Sequence, residues 1–548
     1  MTSDNPVYTY DQLGRLSQVV WPNGALVTFG YDKMGNRTTV VESAALAPTR
    51  PVVPTVAAPP KRSQSDFKNN PMVVLLSSGE LVGWGDNATG ALANGTIAAT
   101  DSLAQRVVFD PNTTVPPSTA KIVDWAFTNA DLYVVYDNGW AYSAGDNAYG
   151  ELGHGDLVAR SALKRIESFI TAGVSVTKVW AQGGYTTTNG GGSAFFLTSD
   201  FRLWGVGLNT AGQLGTGAVT NVSTPVDVSN VSGHVLDQTS ASHVIDVKMA
   251  TVSTFISTYL LFGGTSPGKV MVAGYNVQGQ LGTNVVTNQT AGFVPAQDST
   301  GASFGPSPLN PAVAISANGG STASGNALIL DANGNVWTSG YNLHGELGQG
   351  AGITTNYKQF TKVAALSGIA TAKLAGGLYG YGYAITTAGA LWTWGSTNQN
   401  QIFKNLTSTT AQPLPAAVLP ANMPAGVIAQ VFHSRGQQGL ATTGQLILVM
   451  TDGRIAYAGA DVGQLPIDNT VTPGAYSLIA MPAFILNGSD TIADIFVHGT
   501  GLLQRWFILT GSGRLFASGN NADAICAGGV ATAVAVVSSV WQEISFQA

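Results

Sequence analysis

One short unit recurs eight times along the chain, and that recurrence narrows the possible folds more than any other property. The fifth copy is the plainest. An apolar run, Ala327-Leu328-Ile329-Leu330, passes through Asp331-Ala332-Asn333-Gly334 into Asn335-Val336-Trp337-Thr338-Ser339-Gly340. Asn-Gly between two apolar runs reads as a β-hairpin, because both residues tolerate the positive φ of a type I′ turn. The same grammar returns around Ser78-Gly79, Asn138-Gly139, Ser199-Asp200, Pro267-Gly268, Ala388-Gly389, Asp452-Gly453 and Ser512-Gly513. Each hairpin runs into a terminal glycine, from Gly85 through Gly145, Gly207, Gly274, Gly340, Gly395 and Gly459 to Gly519, at intervals of 55 to 67 residues. Self-similarity at such a period denotes a propeller, a solenoid or an array.

After the glycine comes a second signature: Gly150-Glu151-Leu152-Gly153, Gly212-Gln213-Leu214-Gly215, Gly279-Gln280-Leu281-Gly282 and Gly345-Glu346-Leu347-Gly348. Its glycines suit tight turns, its leucine an apolar gap, and its Glu or Gln can bond loop amides. Ahead of each hairpin lies another short strand, as in Ile122-Val123-Asp124-Trp125 or Ile492-Ala493-Asp494-Ile495. The first copy has no good match for it, whereas Ser539 to Phe546 at the far end of the chain supplies one. A C-terminal strand completing the first blade would close a ring and leave no sheet edge at the junction. The expected fold is therefore all-β, a closed propeller of eight blades, with seven the alternative count.

Composition narrows the function. Only 10% of the residues are charged, the net charge is −6 and the pI is near 5.5. Nucleic-acid binding requires clustered Lys and Arg to neutralise phosphates, and the 24 basic residues form no stripe. Cys526 is the only cysteine, which rules out an intrachain disulfide and multi-thiolate zinc sites. No apolar run reaches the ~20 residues of a membrane helix.

The order strand, Gly, Asn, then Gly-Gln/Glu-Leu-Gly resembles the repeats of the regulator-of-chromosome-condensation family of β-propellers, over residues 72–548. That family usually has seven shorter blades. The resemblance implies a rigid scaffold whose loops bind other proteins; nucleotide exchange on a small GTPase, the founding activity, has no matching positions here. The N-terminus differs. Tyr8-Thr9-Tyr10-Asp11-Gln12-Leu13-Gly14-Arg15 and Tyr31-Asp32-Lys33-Met34-Gly35-Asn36-Arg37 resemble the tyrosine-aspartate repeats of Rhs-type proteins. The domains expected are thus a β-hairpin segment at 1–41, a Pro-rich linker at 42–71 and the propeller at 72–548.

Catalytic signatures are lacking. The six histidines show no metal-ligand spacing, and His154 and His344, in or beside the Gly-Glu-Leu-Gly turns, are expected to be exposed loop residues. Asp124, Asp246 and Asp494 recur at one place in the inner strands, where a ring could hold a cation but single carboxylates more often accept backbone hydrogen bonds. No phosphate loop or Gly-x-Ser-x-Gly elbow is present. No catalytic residue, cofactor or metal is therefore expected. The candidate binding surface is formed by loops following the inner strands: Tyr185, Tyr379, Tyr381, His433 and Arg435, with His498 at the matching place in the last copy. Tyr and Arg among small residues make adaptable contacts, although the tyrosines could merely cover the blade ends.

These features lead to a non-enzymatic binding protein that presents propeller loops to a protein or glycan. Its N-terminal segment would attach it to a larger assembly, in an extracellular or virion setting such as a phage tail or secreted apparatus. An inhibitor or regulator of one soluble protein is the first alternative, and a propeller lyase or hydrolase the second.

Overall fold

The computed structural model describes strands at 7–10, 16–20, 26–31, 37–43 and 56–58, and then 71–183, 191–236, 238–252, 254–264, 267–305, 311–319, 325–350, 355–369, 371–376, 381–395, 403, 412–419, 422–434, 445–459, 476–479, 481, 485, 490–498, 505–519 and 538–544. The chain forms two compact units, one of residues 1–54 with 545–548 and a second of residues 55–544.

In the first unit, Val7–Tyr10, Leu16–Val20, Leu26–Tyr31 and Arg37–Ser43 form one antiparallel sheet in sequence order. The expected hairpin is thus doubled, since each tyrosine-aspartate copy contributes to it.

The second unit is an eight-bladed propeller of four-stranded antiparallel sheets. Blade 2 shows the plan: Ile122–Phe127 is innermost, followed outward by Asp131–Tyr136, Ala141–Gly145 and Arg160–Arg165. The strands are apolar on both sides because both sides are buried. Tyr133 and Val135 pack with Phe196 and Trp204 of blade 3, while Leu132 and Val134 pack with Val73 and Leu81 of blade 1. Equivalent clusters join each later pair of blades through to blades 7 and 8. Burial on two faces explains the low charge, since a strand inside a stack has no solvated side to carry it.

The hairpin turns correct one sequence expectation. Gly334 has φ +77°, but Asn333 is not among the residues with positive φ, and the Gly334 amide donates to Asp331 O at 2.9 Å. The turn is therefore a type I turn closed by a left-handed residue rather than type I′. Blade 3 places Phe201 at that position, with φ +66°.

Ring closure by strand exchange is also corrected. The C-terminal strand, Ser538–Ile544, pairs with Leu515–Gly519 and completes blade 8 as its outermost member. The innermost strand of blade 1 is Val56–Ala58, inside the stretch read as a linker, where Val56 faces Leu76 and Ala58 faces Leu75. Each blade is built from one contiguous segment. Three residues between prolines carry too short a pattern to resemble the six- or seven-residue inner strands elsewhere, and the C-terminal strand only looked orphaned.

Candidate functional site: the loop edge of the propeller

The two ends of the blades differ in one respect. At one end, the turns between second and third strands are nearly uniform, spanning 77–80, 137–140, 199–202 and 332–335, for example. At the other end, the connectors from inner to second strand range from two residues (253–254) through ten (183–192 and 435–444) to twelve (59–70). A rigid scaffold with variable loops on one edge is the arrangement in which recognition surfaces arise.

What holds this edge rigid is the signature after each third strand. Asn147 is fully buried, and its Oδ1 accepts the Leu152 amide hydrogen at 3.0 Å while Nδ2 donates to the Asp156 and Val158 carbonyls. Asn87, Asn209, Asn276 and Asn342 repeat the bond to the leucine five residues on, at 2.9 to 3.0 Å. The role of this asparagine was not anticipated from sequence, although its fixed spacing from the leucine was visible. Glu151, Gln213, Gln280 and Glu346 accept nearby amides at 2.6 to 3.0 Å, as expected. Each also reaches the next blade: ideal Cβ atoms on Gly207, Gly274 and Gly340 would lie 2.9 to 3.0 Å from the Cβ atoms of Glu151, Gln213 and Gln280 respectively. The motif is a latch between blades.

Among the predicted surface residues, Tyr185, Tyr379 and Arg435 lie outside the described residues. Tyr381 is not a loop residue. It opens the strand Tyr381–Thr386, is 2% exposed and packs in the core shared by blades 6 and 7 with Leu446 and Leu448. His433 and His498 belong to the inner strands Ile428–Ser434 and Ile492–His498, opposite Leu446 and Arg505.

His154 and His344 are half-buried rather than exposed. The Ser143 hydroxyl donates to Leu152 O at 2.7 Å, so the His154 Nε2 at 3.0 Å must carry its hydrogen and donate to Ser143. Burial, reinforced by Arg160 and Lys164, lowers His154 to about 3. The inner-strand carboxylates are structural. Asp124 accepts the Trp125 amide and, across the seam to blade 3, the Val179 amide, both at 3.0 Å. Asp494 accepts the Ile495 amide at 2.9 Å, and Asp246 pairs with Lys248 at 2.9 Å. Among the described residues, no three His, Cys, Asp or Glu side chains are grouped to hold a metal, and no helix is long and apolar enough to cross a membrane.

Comparison with known proteins supports both parts of the sequence reading. The RHS repeat family matches residues 10–45. The ultraviolet-B receptor UVR8 of Arabidopsis thaliana is 30% identical over 154 residues, which is 28% of this chain and 31% of the receptor, so the match spans about a third of that relative. The structure of human WBSCR16 is similar at a TM-score of 0.50 and 15% identity, covering 85% of this chain and 94% of that one. Prp20p from Saccharomyces cerevisiae gives a TM-score of 0.45 at 16% identity over 67% of this chain and 78% of its own. The blades thus resemble repeats of the regulator-of-chromosome-condensation type, and they follow a segment that matches the RHS repeat.

Proposed function

We propose that this chain is a non-enzymatic protein-binding or regulatory module whose partner docks on the edge carrying the variable connectors. The observation that carries the reading is the contrast within the blades between uniform second-to-third-strand turns and inner-to-second-strand connectors of two to twelve residues. Packing fixes the short hairpin turns, but it gives no reason for the connectors between inner and second strands to vary this widely. The likeness of one stretch to a receptor is in keeping with a binding role. The RHS-type segment serves as the attachment to a larger assembly, and the extracellular or virion setting and a glycan partner are finer parts of the same proposal. The test is affinity capture with the intact protein and with two variants, in which 435–444 or 183–192 is replaced by the two-residue connector of blade 4. Loss of one stoichiometric protein partner from either variant, with the circular dichroism spectrum unchanged, supports the reading. Retention of the partner by both variants, or turnover of a substrate by the intact protein, overturns it.

A further inference from the structure

At the seam between blades 2 and 3, two buried carboxyl groups occupy positions filled by uncharged pairs in the next blades. The pairing register makes Asp131, Ser193 and Ser257 equivalent, since each is the second-strand residue opposite its blade's terminal glycine, Gly145, Gly207 or Gly274. The Gly-x-Leu-Gly signature makes Glu151, Gln213 and Gln280 equivalent. In blade 4 the Gln280 Nε2 donates to Ser257 Oγ at 3.2 Å, and in blade 3 the Gln213 Nε2 lies 3.5 Å from Ser193 Oγ. Blade 2 has Glu151 and Asp131 there, two acceptors that cannot bond unless one carries a proton.

Both carboxyls are shut off from solvent, each 0% exposed. Asp131 Oδ2 takes the Thr128 hydroxyl hydrogen at 2.9 Å, and the Asp146 backbone also favours its charged form. Glu151 reaches across the seam: Oε1 accepts the Gly192 amide of blade 3 at 3.3 Å, and Oε2 accepts the Tyr149 amide at 2.7 Å. Gly192 touches both groups, for a Cβ there would lie 2.9 Å from Asp131 Oδ2 and 3.9 Å from the Glu151 Cβ. We propose that Asp131 and Glu151 share one proton, and that this proton latches blade 2 to blade 3.

Two adjoining carboxylates out of water cannot both ionise without strong repulsion. Burial raises Asp131 well above the usual carboxylate range, with Glu151 the next cause, and burial brings Glu151 to about 7. The other titratable groups acting on the pair are Asp146 and Tyr133, whose hydroxyl donates to Glu151 O at 3.0 Å. Both are acids, so their ionisation adds repulsion. Among the described residues, blade 3 meets the pair through Gly192 and Gly207, which offer backbone alone. When the shared proton leaves, withdrawal of the Glu151 carboxylate toward solvent relieves the repulsion, and the Gly192 amide loses its acceptor.

The test is hydrogen exchange of the full-length protein at pH 6 and pH 9, corrected for intrinsic exchange and read in peptides covering 191–198. Opening of this seam should rise about tenfold in the wild type across that interval. It should change less than twofold in the double variant Asp131→Ser/Glu151→Gln, which copies the next blades, and the peptide 254–264 of blade 4 should not respond. In a Glu346→Gln background, the infrared intensity of protonated carboxyl at pH 7 should fall when the double substitution is added. A wild-type seam indifferent to pH, or equal pH dependence in the double variant, overturns the proposal. If the double variant fails to fold, the wild-type exchange decides alone.

Discussion

The Cβ of Glu151 in blade 2 rests against Gly207 in blade 3, 3.0 Å from where a side chain on that glycine would begin. Gly207 has φ +99°, and an added Cβ would also lie 2.2 Å from Gly192 O. Gly207→Ala therefore combines left-handed strain with a backbone clash and should destabilise by about 3 kcal/mol or more. Gly233 has φ +78° but nothing within 4 Å of its missing Cβ, so Gly233→Ala should lose only about 1 kcal/mol. Chemical denaturation of the two variants separates crowding from conformational strain.

Asn147 satisfies the buried Leu152 amide and two loop carbonyls with one side chain. Asn147→Ala should destabilise by about 2–4 kcal/mol, because those backbone groups stay buried without it. Hydrogen exchange at the Leu152 amide should quicken in that variant before the rest of the blade responds.

Stability should respond to pH with two opposed slopes. Burial raises Glu346 from an ordinary 4.5 to about 7, so the folded state holds this proton more tightly than the unfolded state. Its contribution is complete below about 4.5 and is lost as pH rises through 7. His154 is lowered from 6.5 to about 3, so its contribution is complete above 6.5 and declines as pH falls toward 3. Glu346→Gln should flatten the basic limb of a melting-temperature profile and His154→Asn the acidic limb. Unchanged limbs in both variants would refute these assignments.

Tyr381 lies in the core between blades 6 and 7. Its replacement by alanine should destabilise by about 3–5 kcal/mol, the cost of emptying a large aromatic site. A surface role would instead leave the melting temperature within a degree or two of the wild type.

Removal of residues 538–548 deprives blade 8 of its outer strand, of Trp541 against the core of blades 7 and 8, and of the Arg514–Glu543 pair at 2.6 Å. Hydrogen exchange should quicken in Arg505–Thr510 and Leu515–Gly519 while Pro71–Leu76 of blade 1 stays protected. Equal loss in blade 1 would restore the strand exchange that the sequence suggested.

The propeller was legible because its constraints are local and repeated. A glycine such as Gly145 is demanded by the approach of Ala130 O, 2.1 Å from a would-be Cβ, and the same demand writes a glycine into blades 3, 4 and 5. Turn type was less legible, since Asn333-Gly334 fits two turn geometries and the flanking strands select between them. The inner strand of blade 1 was hidden because Val56–Ala58 is too short to show a period. Tyr381 was misplaced by sequence because a tyrosine beside glycines looks the same at the end of a loop as at the start of a strand. The Asp131–Glu151 pair is invisible locally, as the two residues meet only after the blade has folded.

Contiguous blades carry a consequence for biogenesis. With no strand lent from one end of the chain to the other, every sheet can complete its ladder once its own stretch leaves the ribosome. The nascent protein can mature blade by blade from the amino terminus, and a fault in a late blade leaves the earlier ones intact.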